Sequence, residues 1–304
     1  MDIKLKAKIG ILGITLIWAL APSFLKIALS ELETFNLIAF RFIIAFVILS
    51  VLFYKRIMHA DTETCRNAFL ISIVLFLGFA TMTFGIRFTT ASKAGFLTSL
   101  SVIFVPFLTF FIFGRKPEAR IIAGTAITGI GVGFLTLKGN LSMNVGDLLC
   151  LLSSVLFGLH AIMTEKFASK CEPIVLTIVQ MGLVGIYSFL VSLLLEKPHL
   201  PNSGSVWISI IVLAIFCTAV GFLVQTLAQK HISSEETVIN NALSPLFSLL
   251  FASYILNETM SVKETFGAVL LLGGVIIAQL NIQNIKQILD KRRIKDDNCK
   301  NYRL

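Results

Sequence analysis

The chain predicts an all-α membrane protein of ten transmembrane helices, built as two inverted five-helix repeats. Three observations lead there. The composition is 56% hydrophobic and 14% charged, with a mean hydropathy of +0.87, whereas soluble domains carry roughly 25% charged residues. Apolar runs of about 20 residues follow one another, each closed by a charge or a Pro/Gly/Ser cluster. They fall at 9–29, 34–53, 67–87, 91–113, 119–137, 146–165, 173–195, 205–228, 234–256 and 262–281. Finally, the chain repeats itself. Residues 89–138 lie over 232–281 without a gap at a shift of 143, so that Leu100 meets Leu243, Ser101 meets Ser244, Gly124 meets Gly267 and Gly131 meets Gly274. Upstream the shift is 139, and Trp18 meets Phe157, Leu20 meets Leu159 and Arg41 meets Gln180. The four-residue difference fits inside the polar stretch 54–67. A repeated membrane unit is typical of a transporter made of two halves: here 1–140 and 141–283, followed by a basic tail, 284–304.

Orientation follows from the bases. With loops alternating between sides, 19 of the 26 Lys and Arg residues collect on the side of the N-terminus and five on the other; Lys26 and Arg41 remain inside segments. That bias places both termini in the cytoplasm. Five segments per repeat is odd, so the second repeat enters the membrane from the opposite side to the first. A site near the midplane, between the repeats, can then open to either side in turn.

Taken in order, the first segment follows Lys4, Lys6 and Lys8 and contains Ala19-Leu20-Ala21, which mimics a signal-peptide cleavage site. Pro22 would sit just after the cut, and the repeat needs this segment, so it is expected to stay. Lys26 lies one turn beyond Pro22; it either meets a ligand carboxylate or extends to the headgroups. Arg41, in the second segment, is seven residues from the outer end. It either pairs with Glu31, Glu33 or helix-end carbonyls, or contacts substrate. The third segment follows the polar stretch. The fourth carries Thr98, Ser99 and Ser101, and the fifth carries Gly124, Gly129, Gly131 and Gly133, small residues that let helices pack closely. His160, in the sixth, stands where the first has Ala21; it is either a ligand or proton-relay group or a satisfied core histidine. The seventh carries Gln180 and the eighth Gln225. The ninth has Asn240-Asn241 and then Pro245, whose missing N–H removes the helical partner of the Asn241 carbonyl. Gly267, Gly273 and Gly274 make the tenth a packing helix like the fifth. The tail, with Lys286, Lys291, Arg292, Arg293 and Lys295 among isoleucines and a leucine, either lies on the anionic leaflet or is solvated.

These pieces together resemble the EamA branch of the drug/metabolite transporter superfamily over about 8–281. The resemblance rests on the doubled five-helix unit, Trp18-Ala19-Leu20-Ala21-Pro22-Ser23-Phe24, and Arg41 in the second segment. It rests also on Thr90-Ala91-Ser92-Lys93-Ala94-Gly95-Phe96-Leu97, on Ser233-Ser234-Glu235-Glu236-Thr237 with Leu243-Ser244-Pro245, and on the exit Leu256-Asn257-Glu258. It implies an exporter of small metabolites, often amino acids or related compounds, driven by a gradient.

The expected function is therefore secondary export of a small molecule across the cell membrane by alternating access, as monomer or homodimer. Substrate-binding candidates are Trp18, Lys26, Ser99, His160, Gln225, Asn240 and Asn241. The partners are the substrate and the lipid bilayer. Nucleic acid is not expected, because the +9 charge comes largely from cytoplasmic segments. The alternatives are a drug, nucleotide-sugar or lipid-headgroup carrier, or an intramembrane enzyme. The last would need clustered acids and histidines at membrane depth, whereas no aspartate lies in a segment core and no HExxH, P-loop or GxSxG is present. The five cysteines show no paired spacing, so no metal or cofactor is expected.

Overall fold

The computed structural model describes residues 2–89, 91–114, 116–136, 143–247 and 262–279. The tail, the Leu256-Asn257-Glu258 exit, Thr90, Arg115 and the repeat boundary at residue 140 lie outside them. The described residues are helical throughout, with no strand among them.

We number the helices α1 to α10. α1 runs Ile3–Trp18 and, after a break at Ala19 and Leu20, Ala21–Ala28. Next come α2 (Thr34–Leu52), α3 (Thr62–Phe88), α4 (Ala91–Ser99 and Ser101–Phe113) and α5 (Ala119–Thr136). The second half holds α6 (Val145–Ala168), α7 (Pro173–Leu195), α8 (Gly204–Gln229), α9 (Ser234–Asn241) and α10 (Val262–Gln279). Six of them, α1, α2, α3, α6, α7 and α8, are long and apolar enough to cross a membrane; shorter apolar stretches run Leu97–Ile112, Ala119–Phe134 and Thr265–Ala278. The chain is a multi-pass membrane protein. Large apolar side chains such as Phe111, Leu194, Ile208 and Ile276 face outward, as they must where the surrounding solvent is hydrocarbon.

Polar residues start the helices, supplying acceptors that the first turn lacks. Asp61 accepts from the Thr64 amide and Ser203 from Val206. Asn144 and Asp147 form a reciprocal capping box at the start of α6. Pro173 opens α7 where no donor is missed. Gly114 closes α4 at a φ of 65°, a left-handed turn that a Cβ would strain.

Small residues set the helix crossings. α5 lies on α10, where a Cβ on Gly131 would fall 2.5 Å from the Leu271 nitrogen and one on Gly124 2.6 Å from the Gly274 carbonyl oxygen. α2 crosses α7 with Ile43 against Gly185 and Phe46 against Gly182. α3 crosses α6 at Gly85 and Gly146, and α1 crosses α8 with Trp18 over Gly221. Gly129 packs on Ile103 of α4, whereas Gly273 faces open space.

These crossings keep the sequence register. The 139 shift carries Ile43 to Gly182 and Phe46 to Gly185, so the α2–α7 crossing maps onto itself. The 143 shift does the same for α5–α10, exchanging Gly124 with Gly267 and Gly131 with Gly274. Applied together, the shifts carry Trp18 over Gly221 to Phe157 over Gly78, the second contact being present 2.9 Å from a Cβ on Gly78. They also carry the Gly85–Gly146 contact to Ala228 and Ala7, which share one apolar cluster.

Candidate functional site

The seam between the halves is centred on aromatic rings. Phe79 of α3 and Phe222 of α8 stand 5.9 Å apart. Trp18 packs on Phe222 at 5.7 Å and Phe157 on Phe79 at 5.2 Å. Phe42 completes the cluster, 4.9 Å from Phe79.

Polar side chains are buried around these rings. On one flank Arg41 of α2, 3% exposed, donates from Nε to the Thr218 hydroxyl and lies 4.6 Å over the Phe79 ring. The sequence allowed it Glu31, Glu33 or helix-end carbonyls; it pairs with none of these, and its described partner is on α8. Beside it the Trp18 indole donates to the Cys217 carbonyl at 2.7 Å, which makes Trp18 a fastener between α1 and α8. On the other flank His160 sits edge-on to Phe222 at 5.6 Å, with Nε2 3.2 Å from the Gln180 Oε1 and 3.5 Å from the Thr164 hydroxyl.

The remaining candidates are spread along the seam. Gln225 donates to Gln229, which donates to the Ala161 carbonyl, tying α8 to α6. Asn241 is half-buried and accepts from the Thr15 hydroxyl at 3.0 Å, tying α9 to α1. Asn240 is buried, and its amide returns to the Glu236 carbonyl within α9. Ser99 is half-buried and bonds the Gly95 carbonyl of its own helix. Lys26 is exposed near the end of α1, away from the aromatic cluster. Trp18 and His160 therefore share the ring cluster; Gln225, Asn240 and Asn241 lie nearer the N-terminal end, and Lys26 stands outside.

Interrupted backbone converges on the same region. α1 breaks at Ala19 and Leu20, just before Pro22; α4 breaks at Leu100, and α9 turns at Ala242 and Leu243, just before Pro245. Leu100 and Leu243 are the residues that the 143 shift pairs. α8 is π-helical over Leu213–Val220, where the Thr218 hydroxyl reaches the Leu213 carbonyl five residues back. Irregular backbone at membrane depth is tolerated where it is buried in protein or lines a cavity, and π segments recur at functional sites. The prolines made two of these breaks legible in sequence. Nothing in Leu213–Val220, an apolar run with one threonine, announced the π turn.

No group of three or more His, Cys, Asp or Glu side chains suited to a metal occurs among the described residues. Cys65, Cys150, Cys171 and Cys217 are free thiols.

A membrane protein of paired helix sets with a buried polar seam is the architecture of a transporter, and the comparisons agree. The profile of the EamA-like transporter family matches twice, at residues 5–137 and 144–280. The chain belongs to that family. Two proteins of Archaeoglobus fulgidus, each described as an uncharacterized transporter, are 28% identical to it, one over 92% of this chain and 87% of its own length, the other over 86% and 93%. An uncharacterized transporter of Methanothermobacter thermautotrophicus is 24% identical over 91% of this chain and 87% of its own. A solved crystal structure superposes with a TM-score of 0.74 at 17% identity, covering 90% of this chain and 97% of that one; at that identity the likeness is one of fold.

Proposed function

We propose that the protein is a secondary transporter of the cell membrane that exports small metabolites, amino acids or related compounds, by alternating access between two inverted five-helix repeats, with both termini cytoplasmic. The observation that carries this reading is the register of the seam: the 139 and 143 shifts carry contacts between the halves onto other contacts between them, Ile43 on Gly185 onto Gly182 under Phe46 and Trp18 on Gly221 onto Phe157 over Gly78. A site at such an axis is open to either side by small rearrangements. The family profile, matched once per half, supports the repeat, and the excess of bases at the N-terminal side supports the orientation. Transporter membership favours carriage over intramembrane catalysis, and a drug, nucleotide-sugar or lipid-headgroup carrier is the alternative cargo reading. Purified protein in proteoliposomes, offered a metabolite panel with and without a pH gradient, tests the proposal. Saturable, protein-dependent flux of an amino-acid-like compound is the expected result; leak-level flux for every compound would sink it.

A further inference from the structure

Arg41 is a cation without a counter-ion among the described residues. It is 3% exposed, seven residues into a membrane-embedded helix, and one guanidinium N–H goes to the Thr218 hydroxyl. That hydroxyl spends its own proton on the Leu213 carbonyl, so toward Arg41 it can only accept. Nη1 and Nη2 make no hydrogen bond or ion pair with any described residue. The aromatic faces of Phe79 and Phe42, 4.6 and 5.8 Å from the guanidinium carbon, give the charge partial stabilisation. Buried charges in proteins are paired or bind something charged. A fork of donors with a rigid, planar geometry matches a carboxylate.

A second observation points the same way. Gln180, the position that the 139 shift pairs with Arg41, is fully buried, and its Nε2 finds no acceptor among the described residues although its Oε1 lies beside His160. Corresponding places on α2 and α7 thus carry N–H groups that meet no acceptor among the described residues, Arg41 against Phe79 and Gln180 beside His160, which packs on Phe222. Only the first half makes that donor a cation. The difference breaks the symmetry of the seam where the π turn of α8 and the break in α1 meet, a place with irregular backbone and, among the described residues, no acid paired with the charge.

We propose that Arg41 is the anion-recognition residue of the transport site, taking the carboxylate of a small carboxylic acid against Phe42 and Phe79. The proposal rests on the transporter reading above. It assigns the cargo a negative head of carboxylate size and an apolar remainder that the rings can cover.

The test is thermal unfolding of the purified full chain in detergent with L-leucine, L-threonine, L-phenylalanine and hexanoate, each beside its primary amide. Wild-type protein is expected to be stabilised by one or more carboxylates and not by the matching amide. Arg41→Gln is expected to lose that preference, its apparent affinity falling roughly ten- to a hundredfold with the charged hydrogen bonds. Glutamine already occupies the paired position at 180, so the fold accommodates it, and the ligand-free variant should melt no lower than wild type because an unpaired buried charge is gone. Arg41→Lys, which keeps the charge but not the fork, should retain a weakened preference. Wild-type protein indifferent to carboxylate over amide overturns the assignment, as does a preference that survives in Arg41→Gln. So does a drop in ligand-free melting temperature in both variants with the preference intact, which marks Arg41 as a fastener to Thr218. Binding is read without transport. Carboxylate-selective binding with no flux in liposomes therefore sinks the transporter reading and leaves the site, whereas undiminished flux through Arg41→Gln does the reverse.

Discussion

The two ends of the seam are closed by different chemistry. At the end where α1 starts, side chains close it: Lys8 meets Glu236 at 2.9 Å, joining α1 to α9, and the Glu165 carboxylate takes both the amide and hydroxyl of Ser234, joining α6 to α9. At the far end, carboxylates mostly hold backbone. Glu196 accepts from the Phe35 and Asn36 amides at the start of α2, and Glu31 accepts from the Asn202 amide. The shifts pair Lys8 with Asp147, Lys93 with Glu236 and Lys26 with Glu165, three positions whose sign reverses, but also Arg87 with Lys230, Arg120 with Lys263 and Glu33 with Glu172, which keep theirs. Between the halves the helix contacts recur as pairs even where the residues within a pair exchange size, as Ile43 and Phe46 do with Gly182 and Gly185.

The largest expected effect breaks the packing that the halves share. Gly131→Leu drives a side chain into the Leu271 backbone, whereas Gly273→Leu enters open space. Overpacking typically costs about 1–3 kcal/mol and more where backbone blocks relief. Folded, monodisperse yield after detergent extraction should collapse for the first variant and hold for the second. Equal yields would show that the α5–α10 contact is not what fixes these helices.

That contrast also separates what was legible in the sequence from what was not. Helix positions were legible because lipid demands long apolar runs, and the run from 173 to 195 matches α7 end for end. Close packing of α5 and α10 was legible in Gly124, Gly131, Gly267 and Gly274, whereas the α2–α7 crossing at Gly182 and Gly185 was not read from the sequence. Of the candidate site, Trp18 and His160 were visible as a tryptophan and a histidine far from a segment end. Arg41 was visible as a charge, but its alternatives could not be separated, because its partner Thr218 depends on a π turn with no sequence mark. Lys26 carried the same signal as Arg41, a lysine within an apolar run, and proved exposed; proximity to a segment end decides between them.

A mid-sized effect sharpens the comparison where α9 meets α1. Asn241→Ala removes the acceptor for the Thr15 hydroxyl, and Thr15→Val removes the donor. If Asn241 serves only to join α9 to α1, the two variants should lower stability alike, by about 0.6 kcal/mol, the average for a polar contact between membrane helices. If its amide also meets the ligand, Asn241→Ala should weaken substrate binding by roughly five- to a hundredfold at a cost of about 1–3 kcal/mol, while Thr15→Val should not. We expect the second pattern in uptake assays; matching losses would reduce Asn241 to a helix contact.

Smaller again is the ion pair at the N-terminal end. Lys8 and Glu236 are each 23% exposed, so the pair contributes no more than about 1 kcal/mol after screening. Lys8→Glu and Glu236→Lys should each change the transport rate a few-fold, and the double exchange should restore it. Additive single effects in that cycle would show the two side chains to be uncoupled.

The smallest effect lies at the far end, in the strap from α7 to α8. The two ring nitrogens of His199 stand 3.0 Å from the Lys197 and Glu31 carbonyl oxygens, and only the imidazolium can donate to both. The Lys197 carbonyl first, then that of Glu31 with the Glu33 and Glu31 carboxylates, hold the imidazole proton on above its ordinary 6.5. A histidine whose pKa is raised on folding stabilises the strap fully below its unfolded value, and that contribution is lost as pH rises through the raised one. Glu31 runs the opposite way. The Ser203 side chain and the Asn202 amide lower its pKa, so its share is present above the ordinary carboxylate range and lost as pH falls. The strap should be tightest between those limits, from about pH 5 to 6.5, and loosen toward alkaline pH. Hydrogen exchange of residues 195–203 in nanodiscs, corrected for intrinsic rates across about pH 5.5 to 8.5, should show protection falling past 6.5 in wild type and flat in His199→Gln. Protection independent of pH in the wild type would mean that His199 holds one carbonyl rather than two, and that the far end of the seam is closed by Glu196 and Glu31 alone.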